Sequence, residues 1–183
     1  MKMSFIKINL SYLLCAVPLL IFTCVNATTV QAEQYATGAH TISSAQGQLT
    51  INVGHVSHFN AHDFFVYSFM FKPKGSKEWH QVPRVEREDD PKMLFTVQTK
   101  HSADMTLFDA KIAADNQKIQ LVTASMETGE TLADEGPVTL VTYDLVKLDG
   151  YERWVFLRKG TKKIALKASV EKLLENTTKP LDK

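Results

Sequence analysis

Asp63-Phe64-Phe65-Val66-Tyr67-Ser68-Phe69-Met70-Phe71 is the stretch that decides the fold. In an extended chain successive side chains point to opposite faces. Phe65, Tyr67, Phe69 and Phe71 therefore line one face, while Phe64, Val66 and Met70 line the other. A strand apolar on both faces belongs in the middle of a sandwich or beneath a covering element. Lys72-Pro73-Lys74-Gly75 ends the run as a hairpin loop, because proline presets its backbone angle and glycine admits positive φ.

The same punctuation extends in both directions. Upstream, Leu49, Ile51 and Val53 alternate with Thr50 and Asn52, which predicts a strand with one apolar face. Downstream, Glu78 to Val85 resumes an extended pattern through Trp79 and Val82. Pro83 cannot donate to a ladder, so that strand lies at an edge or breaks there. Further strands are expected at Met93 to Thr99, Met105 to Ala113, Ile119 to Ser125, Val138 to Leu145 and Tyr151 to Leu157. Asp149-Gly150 is a two-residue hairpin signal. After Gly160 the character changes, and Ser169 is placed to cap a short helix with Val170, Leu173 and Leu174 as its apolar stripe. The expectation is an all-β chain, an antiparallel β-sandwich with a short C-terminal helix and a frayed tail.

The first 32 residues have a different design. Lys2 and Lys7 precede an apolar run from Leu10 to Val25, and Val30-Gln31-Ala32 offers small residues around a cleavage point. That is the layout of a secretory signal peptide. Ser11, Pro18 and Thr23 interrupt the run, which falls short of the roughly 20 residues a membrane span needs. Cleavage after Ala27 is an alternative to cleavage after Ala32. Thr23 before Cys24 and Leu14 before Cys15 do not suit lipidation. The chain is thus expected to be exported and off the membrane once the leader is removed. Residues 33–183 then form a single domain, large enough to bury a core without staples.

Loss of the leader removes both cysteines, and with them disulfides, thiol catalysis and cysteine-ligated metal. It also turns a net charge of +1 into a slight acidic excess. No bulk field then favours nucleic acid or anionic lipid. Lys159, Lys162, Lys163 and Lys167 form one basic concentration, but no aromatic residue alternates with them as a base-stacking platform requires.

Three imidazoles and a carboxylate crowd into His55-Val56-Ser57-His58-Phe59-Asn60-Ala61-His62-Asp63. Neutral imidazole is a common metal ligand, and positions 55, 58 and 62 would share one side of a helix. Gly54 before the cluster and the aromatic strand after it point instead to a loop, for which spacing fixes no geometry. The candidate metal set is His55, His58, His62 and Asp63, with His80 or His101 completing a shell from another strand. The competing reading is a set of surface or loop-capping histidines, and no cofactor is expected.

Ser169-Val170-Glu171-Lys172 matches a Ser-x-x-Lys spacing, but Ser-Asp-Asn and Lys-Thr-Gly are absent and a helix cap explains it. The acidic residues 86–90 are interrupted by Arg87 and lack a calcium-loop pattern, so they read as a solvated loop, as does Asp134-Glu135. Aromatic residues are the remaining asset. Tyr67, Phe69, Phe71 and Trp79 are the candidate ligand or interface residues, set against simple core packing.

Phe64 to Pro83, with the leader before it and the strand-rich remainder after it, resembles the CarG-like carbapenem intrinsic-resistance proteins. The resemblance covers most of the region after the leader through its general pattern and this one block, and it carries over no functional residue. It implies a periplasmic β-rich protein that protects a cell from carbapenem without hydrolysing it, as a homodimer or beside a partner protein. The expected function is therefore non-enzymatic binding, with a carbapenem as ligand. The alternatives are a metal-dependent periplasmic enzyme using the histidine cluster, and an assembly module using an exposed strand edge.

Overall fold

The structure is a computed structural model, and it describes residues 35–57, 63–102, 105–129, 136–150, 152–165, 168–177 and 180. The leader, His58, His62, Asp134-Glu135, Lys167 and nearly all of the tail lie outside the described residues. Among the described residues eleven strands and one helix follow in order: β1 (Gly38–Ser43), β2 (Gly47–Val56), β3 (Phe64–Pro73), β4 (His80–Gln81), β5 (Arg84–Val85), β6 (Thr96–Gln98), β7 (Lys100–His101), β8 (Thr106–Ala114), β9 (Ile119–Met126), β10 (Val138–Leu148), β11 (Arg153–Ile164) and α1 (Val170–Glu175).

The strands form two sheets. The first has the order β1-β2-β3-β4, with β6 also on β3; the second runs β5-β11-β10-β9-β8-β7. Every pairing is antiparallel except β5 on β11. The expected all-β architecture is what forms.

The inward residues of β3 show how the sheets meet. Tyr67, Phe69 and Phe71 are buried. Tyr67 reaches Asp109 of β8, whereas Phe69 stacks edge-on against Phe156 of β11 at 5.2 Å and Phe71 meets Trp154 at 4.7 Å. The inward face of β3 thus meets both β8 and β11 of the second sheet, and in packed sheets the chain can switch layers at corners. Val82 and Pro83 make such a corner. The Val82 amide donates to Phe69 O in one sheet, and Pro83 O accepts from the Phe156 amide in the other, both at 2.9 Å. The expected strand at Glu78 to Val85 is therefore broken at Pro83, into β4 and β5 on different sheets.

Behind the second sheet α1 covers a separate apolar layer. Val170 and Leu174 pack against Leu107, Ala113, Val122, Ala124, Met126, Val138 and Leu140. Ser169 caps the helix by accepting from the Lys172 amide, as its sequence position predicts. Lys111, buried on β8, donates to the carbonyls of Leu174 and Glu175 at 3.0 and 3.4 Å, and burial lowers its pKa. A cation at a helix C-terminus satisfies carbonyls that have no partner within the helix.

Three expectations need correction. The loop at Asp149-Gly150 is longer than two residues, because Leu148 faces Arg153 in register. Met93 to Thr99 contributes only the three residues of β6 and a single bridge between Leu94 and Arg84. Strand β11 continues past Gly160 to Ile164, since its backbone stays paired with β10 although Arg158 to Lys163 are exposed.

Gly47 sits where β1 turns into β2, with φ of 150°. A Cβ there would lie 2.2 Å from Lys72 O. Gly47→Ala is expected to destabilise the fold by well over 1 kcal/mol, because backbone strain and a backbone clash act together. Chemical denaturation of the variant checks this, and an unchanged midpoint would contradict the turn geometry.

Candidate functional site

The histidine cluster begins at the end of β2. His55 faces Phe65 in the β2–β3 register, and its ring lies 5.1 Å from that phenyl ring. Its Nε2 is 3.3 Å from Asp63, whose other oxygen accepts from the Ser57 hydroxyl at 3.3 Å. His55 and Asp63 are 40 and 35% exposed, so this pair is solvated and contributes little to stability. His101 approaches the far side of the neighbourhood, 6.3 Å from the same Phe65 ring. A phenyl ring that offers no ligand atom thus contacts both imidazoles. His80 is no candidate for the shell, because it faces Phe71, six residues along β3 from Phe65, or about 20 Å. Among the described residues no three His, Cys, Asp or Glu side chains are arranged to hold a metal ion.

Of the four aromatic candidates, Tyr67, Phe69 and Phe71 are at most 3% exposed and pack within the core. Trp79 alone is on the surface, 43% exposed, with the Lys72 ammonium 5.1 Å from its ring centroid.

The densest polar chemistry lies elsewhere, along the flank of β8. Asp109 is buried and accepts from the Tyr67 hydroxyl at 2.9 Å and the Ala110 amide at 2.7 Å. Burial pushes the Asp109 carboxyl above the usual range, opposed by those two hydrogen bonds. Tyr67 is raised as well, first by burial and then by the Asp109 charge. Tyr35 packs edge-on against Tyr67 at 5.9 Å, and its hydroxyl accepts from the Ile112 amide at 3.0 Å. Burial pushes Tyr35 up to about 12. The amides of Ala110 and Ile112 thus find acceptors in a carboxylate and a phenol rather than in another strand, one way to close a sheet edge.

A second row of hydrogen bonds continues from this flank to α1. The Phe65 amide donates to Thr99 Oγ1 at 2.9 Å, and Thr99 meets His101 Nε2 at 2.9 Å. His101 Nδ1 lies 3.1 Å from Thr106 Oγ1, and Thr106 donates to Glu171, which also accepts from the Ser169 hydroxyl at 2.6 Å. Because the Thr106 proton goes to Glu171, its oxygen is free to accept. A neutral His101 with its proton on Nδ1 fits this arrangement, donating to Thr106 and accepting from Thr99 at Nε2. Burial pushes the Glu171 carboxyl up, but the hydrogen bonds from Ser169, Thr106 and its own backbone outweigh it and hold it below the ordinary value. The row is a clasp joining β3, β7, β8 and α1.

No protein-family profile matches the chain, and no curated protein sequence matches it. Among solved structures, the crystal structure of CarG is similar to this one, with a TM-score of 0.58 and 18% sequence identity, covering 76% of this chain and 91% of that chain. The fold is CarG-like. The CarG-like sandwich places Tyr35, Asp109 and Glu171 in its polar network, three residues that sequence reasoning did not single out. Tyr67 was singled out, but as a ligand or interface residue rather than as the partner of a buried carboxylate. No helix among the described residues is long and apolar enough to cross a membrane.

Proposed function

We propose that this chain is an exported, periplasmic binding protein that protects the cell against carbapenem antibiotics without hydrolysing them. The observation that carries the reading is the CarG-like fold, which agrees with the resemblance of the block at Phe64 to Pro83 to the carbapenem intrinsic-resistance proteins. The groups best suited to catalysis support it through their present engagements. Ser169 caps a helix, Glu171 accepts from two hydroxyls, and Asp109 holds Tyr67 and an edge amide. Protection then proceeds by sequestering the drug or shielding its wall-synthesis targets, as a homodimer or beside a periplasmic partner.

The experiment is to incubate the exported protein with a carbapenem, with and without zinc, and follow the drug's absorbance alongside survival of cells expressing the protein. Survival without loss of drug is the expected result. Catalytic loss of the drug in zinc would overturn the binding reading in favour of a metal-dependent hydrolase. Equal survival of cells with and without the protein would remove the carbapenem assignment.

A further inference from the structure

At the end of the sandwich opposite the polar flank, Arg84 of β5 lies over the ring of Tyr143, with its guanidinium carbon 5.3 Å from the centroid. Its Nε is buried and has no hydrogen-bond acceptor. Among the described residues no carboxylate forms an ion pair with it. The nearby acid is already engaged. Glu86 accepts from the Tyr143 hydroxyl at 3.1 Å and from Arg158 at 2.7 Å, and Arg158 also donates to Thr161 at 2.6 Å. Two guanidinium groups and one carboxylate therefore gather about the Tyr143 side chain, leaving one positive charge uncompensated.

The surroundings add an apolar element. Arg84 and Leu94 exchange backbone hydrogen bonds at 2.8 and 3.0 Å as an antiparallel bridge, so their side chains project from the same face. Leu94 is 36% exposed and the adjacent Phe95 is 44% exposed, two of the four large apolar side chains at the surface of the described residues. Arg84 as a residue is only partly buried, so part of its surface stays open although its Nε is enclosed. A partly buried guanidinium without a counter-charge is costly to leave unmatched. Its planar fork fits a carboxylate in two parallel hydrogen bonds.

We propose that Arg84, with Arg158 beside it and Leu94 on its own face, binds a small organic anion in which a carboxylate is joined to an apolar group. Arg84 supplies the charge-assisted hydrogen bonds, Arg158 adds long-range attraction, and Leu94 covers the apolar body. The site lies away from the His55 cluster and uses none of its residues. It does not rest on the carbapenem reading, although a carbapenem carries such a carboxylate, and a probe without a β-lactam ring tests it whether or not that reading holds.

The test is titration of the full chain with 3-phenylpropanoate and, separately, with its uncharged amide, followed by the side-chain NH signals of arginine in 1H–15N spectra. The acid is expected to shift the Arg84 Nε–H signal saturably, to bind at least about tenfold more tightly than the amide, and to weaken as salt is added. In Arg84→Met, which lacks that signal, saturable binding of the acid followed by calorimetry should be lost, and Arg158→Met should weaken binding several-fold while the fold is retained, because its ion pair with Glu86 is about 40% exposed. Equal binding of acid and amide, unchanged affinity in Arg158→Met, or no saturable shift at Arg84 would each overturn the proposal. The last outcome would leave Arg84 as a ring-stacking residue only.

Discussion

Phe71→Ala is expected to cost about 3–5 kcal/mol of stability, and Trp79→Ala less than about 0.5 kcal/mol, although both residues stand in the same aromatic-rich block. Phe71 is 0% exposed, pairs in register with the equally buried Leu49, and lies 4.7 Å from Trp154 of the other sheet. Its removal leaves a cavity where two sheets meet, and neighbours fixed in register on both sides have little freedom to collapse into it. Trp79 lies outside the regular strands with 43% of its surface in water, held by the Lys72 ammonium over its ring. At about 2–4 °C per kcal/mol for a chain of this size, the alanine variant of Phe71 should melt roughly 6–20 °C lower. Thermal unfolding of both variants, with sedimentation to follow their association state, checks this. If Phe71→Ala kept its melting temperature but lost self-association, β3 would be an interface and its assignment to the core would fail.

How much of this was legible in the sequence depended on whether the physics was local. The face assignment of β3 followed from strict alternation, and the helix cap from a serine one residue before an apolar stripe. Strand β1 left no such trace. Of its six residues only Ile42 is buried, and pairing with β2 rather than side-chain pattern makes it a strand. The same reason extends β11 through Arg158 to Lys163, where backbone pairing persists beneath exposed side chains. Pro83 announced a break, but not that the two halves would join different sheets. For the site, the local density of histidine drew attention to residues 55–63. The polar network actually assembled couples residues 42 and 77 positions apart, Tyr67 with Asp109 and Tyr35 with Ile112. Nothing near Asp109 in sequence marks it, since one acid within a strand reads as an outward-facing residue.

Asp109 separates two substitutions that sequence alone would rank as similar. Asp109→Ala leaves the Ala110 amide and the Tyr67 hydroxyl buried without their acceptor, and at about 1–3 kcal/mol for each such group the loss should reach about 2–6 kcal/mol. Asp109→Asn keeps an oxygen in the same place and removes the charge whose burial the fold opposes. The direction of the pH effect follows from that opposition. The folded carboxyl titrates above its ordinary value, so between the two values the folded chain holds more protons than the unfolded chain, and stability falls as pH rises through this window. This contribution is fully present below the unfolded value and is lost once pH passes the folded one. The asparagine variant has no such proton to lose. Its melting temperature should therefore equal or exceed the parent's at neutral pH, with the advantage shrinking on acidification, whereas the alanine variant should be weaker throughout. Melting curves from pH 4 to pH 8 decide the matter. An asparagine variant as unstable as the alanine one at neutral pH would mean that the ionised carboxylate, rather than an acceptor oxygen, closes the edge of β8.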